Sequence, residues 1–417
     1  MSGNILKDIL NKSLWEETIH EFEIKNFNKK DKALKFKEIV DSGEYLNVAK
    51  AVLASQYRFS LPTQYKINKK DTSKKKTIYI FPLKDELLLK VVNKILNANL
   101  SDSISELCHS FQKKKSSKTA FKALMIDREL IGKHCFKLDI QDYFNSININ
   151  SFLSTLPPEI KNDKPLFNLL EQLLLDQNVI IDNVATSSAK KGVMAGTPLA
   201  PYLSNIFLKP LDDYFKDKGI TYARYSDDII FFSPEKDVHV NKEYIEKYLV
   251  ENELTINNNK TKLAKPGEAW EYLGFKYDNG IIDLSDMTIK KLKYKVTRIT
   301  RYLNRSRMKY QFNGEKTVRI LIKYLNRKLY GKRGRSKNFC WAQWFFPLLN
   351  SSESLKQLDA FIQEKLRYAA TGRYSKKNYK IMPYNKLREL GYIPLTTAFF
   401  AYRNNANQYF ELIKKVT

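Results

Sequence analysis

The chain of 417 residues is poor in cysteine, histidine and long apolar stretches. Its three cysteines, Cys108, Cys135 and Cys340, are far apart, which argues against a disulfide framework and a zinc knuckle. The four histidines show no metal-ligand spacing. No apolar stretch reaches the roughly 18 residues that a membrane span needs, and the N-terminus lacks the apolar core of a signal peptide. These absences predict a cytoplasmic protein that is not inserted in a membrane.

Acidic residues are also scarce relative to basic ones. Lys and Arg total 72 and Asp and Glu total 45, so the formal net charge is +27, which is more than solubility requires. The excess is concentrated in residues 288–337, where eighteen Lys or Arg accompany the single acid Glu315. This block predicts a surface that binds the phosphates of a nucleic acid.

Two adjacent acids stand out against this basic background. Asp227 and Asp228 lie between the apolar, β-prone segments 220–224 and 229–232, which predicts a tight hairpin with both carboxylates at its tip. Asp139 ends another short apolar run and could lie on the neighbouring strand. Carboxylates held in this way suit hard divalent cations, and three of them indicate a two-metal site for phosphoryl transfer.

The remaining pattern predicts an α+β fold whose basic helices follow residue 286. Residues 1–56 have the spacing of a helical extension. Segments 65–68 and 77–81 alternate like strands around a lysine-rich tip, which suits triphosphate or template phosphates but is equally compatible with a solvated tip. An insertion at about 150–190 is predicted to be helical.

Five ordered segments resemble motifs of the reverse transcriptases, in particular the prokaryotic branch that includes group II intron, retron and phage-defence enzymes. They are the first catalytic motif at 137–144, the second at 192–205, the third at 224–228, the fourth at 257–261 and the primer-grip motif at 272–275. The resemblance covers about Arg58 to Tyr277. It implies a right-hand polymerase with fingers, a ferredoxin-like antiparallel palm sheet, and an α-helical thumb and C-terminal region. The implied bounds are fingers 57–130, palm 131–286 with the 150–190 insertion belonging to the fingers, and thumb with C-terminal region 287–417.

The resemblance also implies a catalytic centre. Asp139, Asp227 and Asp228 would bind two Mg²⁺ ions, or Mn²⁺ in their place, and the backbone of Ile140 would be a further metal-binding group. Lys260 matches the lysine of the fourth motif and could donate a proton to the departing pyrophosphate, although a solvated lysine has the same signature.

A further set of residues is implied to contact the incoming dNTP. Phe144 falls where the family places an aromatic ring under the sugar, and such a ring would exclude a 2′-hydroxyl unless it is simply part of the core. Most relatives carry Pro-Gln-Gly in the second motif, but this chain has Met-Ala-Gly, which puts its fidelity and template handling in doubt. The set comprises Lys69, Lys76, Gln141, Asp142, Phe144, Ala195 and Gly196.

The RNA template and the DNA product are expected to lie along the third motif, the primer grip and the basic tail. Residues 288–308 form a basic helix with an apolar stripe, which suits a thumb helix facing a duplex minor groove. The aromatic residues at 341–346 could stack on bases or form a buried cluster. The predicted nucleic-acid contacts are Tyr225, Leu273, Gly274, Lys291, Lys295, Arg298, Arg301, Arg305, Lys332, Arg333 and Arg335.

The tail offers no carboxylate cluster for an RNase H domain, no Cys/His endonuclease pattern, no retron-type thumb signature and no intron-maturation module. By elimination, the sequence is closest to the defence-associated reverse transcriptases of bacteria. We predict an RNA-directed DNA polymerase, a nucleotidyltransferase that copies a bound noncoding RNA in antiphage defence. Retron-like, template-independent or protein-primed DNA synthesis stays open, and so does an RNA-binding scaffold with an inactive site. The sequence leaves the oligomeric state open.

Overall fold

The computed structural model describes residues 5–26, 28–68, 75–188, 192–331 and 340–414. The chain divides into two compact units, residues 1–266 and 267–417. This boundary lies upstream of the palm limit predicted at residue 286, because residues 270–284 form a separate sheet. The functional bounds of fingers, palm and thumb stay predictions. None of the described helices is long and apolar enough to span a membrane.

The first unit begins with a helical layer. Trp15, Ile19 and Phe22 recur at three- and four-residue spacing and are buried on one side of their helix, as their periodicity predicts. The elements are a 3₁₀ helix at Ile5–Leu10, α1 (Lys12–Lys25), α2 (Lys30–Asp41) and α3 (Glu44–Leu53).

A hairpin and a central helix come next. Strands β1 (Thr63–Asn68) and β2 (Lys75–Ile80) pair antiparallel, which confirms the predicted hairpin. Helix α4 (Leu83–Asn99) buries apolar residues around most of its circumference, which is typical of a helix inside a core. Helix α5 (Ser117–Leu124) starts at a capping box in which Ser116 and Thr119 satisfy each other's backbone N–H groups.

The chain then forms strand β3 (His134–Asp139) and enters the insertion. Its helices are α6 (Tyr143–Ser146), α7 (Ile149–Thr155), α8 (Pro158–Asn162) and α9 (Lys164–Leu175). The leucines predicted to form the core stripe of α9 are all buried.

The prediction that the insertion is helical to about residue 190 is wrong. Strands β4 (Asn178–Ile181) and β5 (Val184–Ser187) form a hairpin there. Its two loop residues, Asp182 and Asn183, have φ of 49° and 67°, the left-handed values that two-residue hairpin loops need and that Asp and Asn tolerate. Strand β4 joins β1 in parallel, so one sheet has the order β2-β1-β4-β5.

The second sheet of this unit has the order β6-β7-β3-β8 and is antiparallel throughout. Helices separate β3 from the β6–β7 hairpin and β7 from β8, which is the ferredoxin-like arrangement expected of a palm. Strands β3 and β7 are buried over most of their length because helices pack against the sheet. The elements are α10 (Ala200–Phe207), α11 (Lys209–Asp217), β6 (Thr221–Tyr225), β7 (Asp228–Ser233), α12 (Glu235–Glu251) and β8 (Lys262–Ala264).

The second unit combines a three-stranded antiparallel sheet with helices. The strands are β9 (Trp270–Tyr272), β10 (Phe275–Asp278) and β11 (Ile281–Leu284), and the last two form the hairpin predicted around Asn279-Gly280. Helices α13, α14 and α16 pack against one another through buried leucines, isoleucines and valines. The helices are α13 (Asp286–Tyr310), α14 (Gly314–Tyr330), α15 (Trp341–Phe345), α16 (Glu353–Thr371), α17 (Asn378–Ile381), α18 (Tyr384–Glu389), α19 (Leu395–Asn404) and α20 (Ala406–Lys414).

Candidate active site

The three predicted catalytic acids lie at one end of the second sheet. Asp139 is the last residue of β3 and Asp228 is the first residue of β7, and the two are direct partners in the antiparallel register. The backbone N–H of Ile140 donates a 3.2 Å hydrogen bond to the carbonyl of Asp227, which ties the end of β3 to the hairpin tip. The fold therefore brings Asp139, Asp227 and Asp228 to one end of the sheet, and their role as metal ligands stays a prediction.

The hairpin tip contains a strained residue. Only Ser226 and Asp227 connect β6 to β7, and Ser226 has a φ of 62°, a left-handed value that is unusual for serine. Such a conformation costs on the order of 1–3 kcal/mol and persists only where surrounding contacts enforce it. Here the N–H of Ser226 donates to Ser110 Oγ at 2.9 Å, and its carbonyl accepts a 3.3 Å bond from Arg224 Nη1.

A fully buried ion pair, Arg224 with Asp212, supports this tip. Arg224 donates from Nε to Asp212 Oδ1 at 2.7 Å and from Nη2 to Asp212 Oδ2 at 2.6 Å, and both side chains have no solvent exposure. Arg224 also donates to the side-chain and backbone oxygens of Asn205 at 3.2 Å. Asn205 Oδ1 in turn accepts from Ser110 Oγ at 3.1 Å. The sequence analysis missed this network, and an arginine inside an apolar strand was the signal for it.

The fourth motif contacts the first motif directly. Asp139 Oδ1 accepts a 2.8 Å hydrogen bond from Asn257 Nδ2, and Asp139 Oδ2 accepts a 2.6 Å bond from Lys260 Nζ. Burial works to lower the pKa of Lys260, but its bond to Asp139 and the charges of the three acids outweigh burial and raise it. Lys260 is thus a charged counter-ion of Asp139, and 56% of its side chain is still exposed.

The pKa values of the two hairpin acids, Asp227 and Asp228, are raised in this arrangement. Burial, followed by the charge of Asp139, raises the pKa of Asp227. Burial raises the pKa of Asp228 to about 6, with the charges of Asp227 and Asp139 adding to it and Lys137 opposing it. Charged carboxylates are therefore destabilised at this end of the sheet. A bound cation would offset the free-energy cost that burial and mutual repulsion impose on them.

The donor set fits a hard divalent cation, since it consists of carboxylate oxygens. Nevertheless, within the described ranges no three acidic, histidine or cysteine side chains already have metal-ligand geometry. One oxygen of Asp139 also accepts a hydrogen bond from Lys260, so this carboxylate already has a cationic neighbour.

Aromatic rings surround the predicted nucleotide position. Phe144 is partly buried, Lys76 Nζ lies 5.6 Å from the centre of its ring, and Phe111 packs edge-on at 6.4 Å. Phe111 also lies 6.3 Å from the ring of Tyr225. Phe111 is 51% exposed and has a φ of 56°, a strained value for a bulky residue. No role was assigned to Phe111 from sequence, because positive φ at a phenylalanine has no sequence signature.

The loop of the second motif packs against both Phe144 and the β1–β2 hairpin. A side chain at Gly192 would lie 2.2 Å from the Phe144 carbonyl, so only glycine fits there. Asn145 accepts from the N–H of Ala195 at 3.0 Å and donates to the carbonyl of Thr77 at 3.3 Å. The Ala195 carbonyl accepts from Tyr79 N–H at 2.8 Å. Ala195 is buried with both backbone groups bonded, so it offers packing rather than a hydrogen bond to a nucleotide.

The other predicted nucleotide contacts have different surroundings. Gln141 and Asp142 are exposed just beyond Asp139, and Asp142, with a φ of 45°, is the N-cap residue immediately before α6. Gly196 has a φ of 101° and lies against Ile78 and Tyr79, where an added Cβ would be 3.2 Å from both. Lys69 lies outside the described residues.

The primer-grip motif belongs to the second unit. Leu273 and Gly274 form the tight β9–β10 turn with φ of 49° and 92°. The Gly274 carbonyl accepts from Ser285 N–H at 3.0 Å and from Thr288 Oγ1 at 2.9 Å, so the start of α13 fixes this turn.

Helix α13 presents one apolar and one basic face. Leu292, Val296 and Thr300 are buried, whereas the predicted nucleic-acid contacts of this helix are all exposed. The 341–346 cluster is mostly core, since Phe345 and Phe346 are buried and Trp341 and Trp344 are half-buried. The exposed contacts are Lys291, Lys295, Arg298, Arg301 and Arg305, while Lys332, Arg333 and Arg335 lie outside the described residues.

Comparison with known proteins identifies the family. The profile described as reverse transcriptase (RNA-dependent DNA polymerase) matches residues 67–277, about half of the chain. The chain belongs to this family. This reverse transcriptase is 26% identical over 135 residues to the Retron Ec83 reverse transcriptase of Escherichia coli, covering 30% of the chain and 42% of the relative. It is 27% identical over 175 residues to the group II intron-encoded protein LtrA of Lactococcus lactis subsp. cremoris, covering 42% of the chain and 28% of the relative.

These matches confirm the resemblance to prokaryotic reverse transcriptases, and each spans less than half of the relative's length. Among solved structures, apo telomerase from Candida Tropicalis is similar with a TM-score of 0.46 and 11% identity, covering 86% of the chain and 64% of that protein.

Proposed function

We propose that this protein is an RNA-directed DNA polymerase that requires divalent metal ions. The observation that carries the proposal is the register of the second sheet, which places Asp139 directly opposite Asp228 with Asp227 at the adjoining tip. Raised pKa values at Asp227 and Asp228 add support, because a site that is unfavourable for bare carboxylates favours a cation.

Asp139, Asp227 and Asp228 would hold Mg²⁺, with Mn²⁺ as a substitute. When bound, two such ions activate the attacking hydroxyl and stabilise the leaving oxygen in phosphoryl transfer. Lys260 keeps its proton because the acids around it raise its pKa. The contact with Asp139 makes its ammonium group a weaker acid. Once released from Asp139, this exposed group would donate a proton to pyrophosphate as the new phosphodiester bond forms.

Phe144 would select deoxynucleotides by excluding a 2′-hydroxyl. Its ring packs edge-on against Phe111 at 6.4 Å and lies 5.6 Å from Lys76 Nζ. The ammonium group of Lys76 would then lie near the triphosphate that enters beside this ring. Phe111 adds an exposed aromatic surface on which a template or incoming base could stack.

Helix α13 would bind the template–product duplex through backbone phosphates. Lys291, Lys295, Arg298, Arg301 and Arg305 lie on its exposed side, and its apolar residues anchor it to α16. Such contacts are largely independent of sequence, as a polymerase requires.

The test is incorporation of labelled dNTP on an RNA template with a DNA primer. We expect Asp227→Asn and Asp228→Asn to abolish incorporation while RNA binding persists. Asp217→Asn is the matched control, because it removes the same charge from an exposed position on α11 and should retain incorporation. Incorporation by the Asp227→Asn/Asp228→Asn double variant would contradict the assignment.

We further propose that the template is a dedicated noncoding RNA and that the enzyme acts in the bacterial cytoplasm in antiphage defence. The concentration of eighteen basic residues in 288–337 supports a stably bound RNA. Sequencing the nucleic acids that copurify with the protein, before and after phage exposure, tests this. A preparation free of nucleic acid would contradict a bound RNA.

A further inference from the structure

The C-terminal unit carries a second basic segment that the family motifs do not reach. Residues 365–388 contain eight Lys or Arg and no acidic residue. Two tyrosines in this segment, Tyr374 and Tyr379, are each 59% exposed. Both rings make defined contacts with the protein beneath them.

Tyr379 is supported by a buried cation. The guanidinium carbon of Arg367 lies 4.3 Å from the centre of the Tyr379 ring, and Arg367 itself is only 6% exposed. Arg367 is fixed in turn, because its Nε donates to the carbonyl of Met382 at 3.1 Å. The ring is thus held by a cation–π contact from within the protein while most of the residue faces solvent.

Tyr374 is supported in a different way. Its ring stacks on Tyr368 at 4.5 Å with an interplanar angle of 27°. Its hydroxyl accepts a 2.6 Å hydrogen bond from Lys365 Nζ. Both Tyr374 and Tyr379 therefore rest on consecutive residues of α16, Arg367 and Tyr368.

The backbone between the two rings is also fixed. The Arg373 carbonyl accepts from Asn378 Nδ2 at 2.7 Å and from Thr371 Oγ1 at 2.9 Å. Arg307 of α13 donates to the Ala370 carbonyl at 2.9 Å, which connects the segment to the end of the basic helix. Rings held in place before a ligand arrives lose little conformational entropy on binding.

We propose that this surface, the tyrosine platform, binds single-stranded nucleic acid. Bases would stack on Tyr374 and Tyr379, and the exposed cations around them would bind the phosphates. A duplex fits less well, because its bases are already stacked on one another. The proposal deepens the polymerase assignment, since it gives the enzyme a site for unpaired template or product beside α13. The platform comprises Arg373, Tyr374, Lys376, Lys377, Tyr379 and Lys380.

The test is fluorescence anisotropy of the full chain with labelled single strands of about eight nucleotides, within the usual footprint of such sites. We expect Tyr374→Ala and Tyr379→Ala each to weaken binding about fivefold to 100-fold, the range for loss of one stacked base. Tyr374→Phe and Tyr379→Phe keep the rings and should bind within about twofold of the unchanged protein. Phe400→Ala, which removes an exposed ring from α19 outside the basic segment, is the matched control and should not alter binding.

The cations are tested separately. Replacing Lys376, Lys377 and Lys380 by Gln should reduce the salt dependence of binding, with a change in slope of about 2 if all three contact phosphates. RNA and DNA strands are compared in parallel, because preference for RNA assigns the platform to the template and preference for DNA assigns it to the product. In either case, 5-iodouridine or 5-iododeoxyuridine in the strand should crosslink to Tyr374 or Tyr379 in the unchanged protein.

Unchanged single-strand affinity in both alanine variants would overturn the proposal, and so would an equal loss of affinity for a duplex of the same length. These outcomes are independent of catalysis. If dNTP incorporation fails but the alanine variants lose single-strand binding, the polymerase assignment falls and the platform stands. If incorporation succeeds and the crosslinks map elsewhere, the polymerase assignment stands and the tyrosine platform is wrong.

Discussion

The stability of the hairpin that carries Asp227 and Asp228 depends on both partners of the buried ion pair between Arg224 and Asp212. Asp212→Asn keeps the shape of the side chain but leaves a guanidinium group with no solvent exposure and no counter-ion. Breaking a buried pair from one side costs about 3–5 kcal/mol, because one charge stays buried without compensation. We expect Asp212→Asn and Arg224→Met each to lower the free energy of unfolding of the first unit by this amount.

Replacing both partners should cost less than replacing one. The double variant Asp212→Leu/Arg224→Met leaves no uncompensated charge, so it should be more stable than either single variant. It still lacks the hydrogen bond from Arg224 to the carbonyl of Ser226. We therefore expect a folded protein that incorporates dNTP slowly, because the strained tip that carries Asp227 loses its support.

Native-state hydrogen exchange in β6 and β7 measures the loss of stability in each variant, and single-nucleotide incorporation measures the loss of polymerase activity. A control lies on the same helix as Asp212. Asp213 pairs with Lys209 at 2.5 Å, but both side chains are about one-third exposed, so Asp213→Asn should cost at most about 1 kcal/mol. If Asp212→Asn costs no more than Asp213→Asn, the reasoning about the buried pair is refuted.

Three further predictions concern the acids, Lys260 and Phe144. Because burial and neighbouring acids raise the pKa of Asp228 from 3.8 to about 6, the metal-free protein should lose stability as pH rises between these values, by up to about 3 kcal/mol. Asp228→Asn should remove that dependence in thermal melts, and equal slopes in both proteins would contradict it. Lys260→Gln removes the counter-ion of Asp139, so terbium luminescence should report lanthanide binding that is about twofold to fivefold tighter. Incorporation by the same variant should fall by about 10²-fold or more. Weaker terbium binding would show that Lys260 does not compete for this oxygen. Phe144→Val should reduce discrimination against ribonucleotides by about 10-fold to 100-fold in competition assays, and unchanged discrimination would place the gate elsewhere.

The hairpin of Asp227 and Asp228 could be predicted from sequence because it depends on local pattern. Apolar β-prone flanks around Asp227 and Asp228 specify a hairpin, and the structure places Asp227 in its loop and Asp228 at the adjoining end of β7. The sequence predicted that Asp139 could lie on a neighbouring strand, but the register that pairs it with Asp228 became visible only in the folded chain. The prediction was wrong at 178–187, because the leucine stripe of α9 was extended as helix past Asp182-Asn183, a pair that is typical of a hairpin loop.

Other features depend on tertiary packing and had no local signature. The partner of Arg224 is on α11, and only the packing of that helix against β6 identifies Asp212 as the partner. The strain at Ser226 and Phe111 appears only in backbone angles. Lys260 was assigned a role through family resemblance, but its ion pair with Asp139 became visible only in the folded chain.

The parallel pairing of β4 with β1 has a mechanical consequence. Ile180 N–H donates to the Pro62 carbonyl at 2.9 Å, so strands from two distant parts of the chain form one hydrogen-bonded body. A swing of the lysine-bearing hairpin toward a triphosphate must either carry β4 and β5 along or break this connection. Substitutions in the 178–187 segment should therefore alter how readily that hairpin moves, although that segment contributes no predicted ligand to the metal centre.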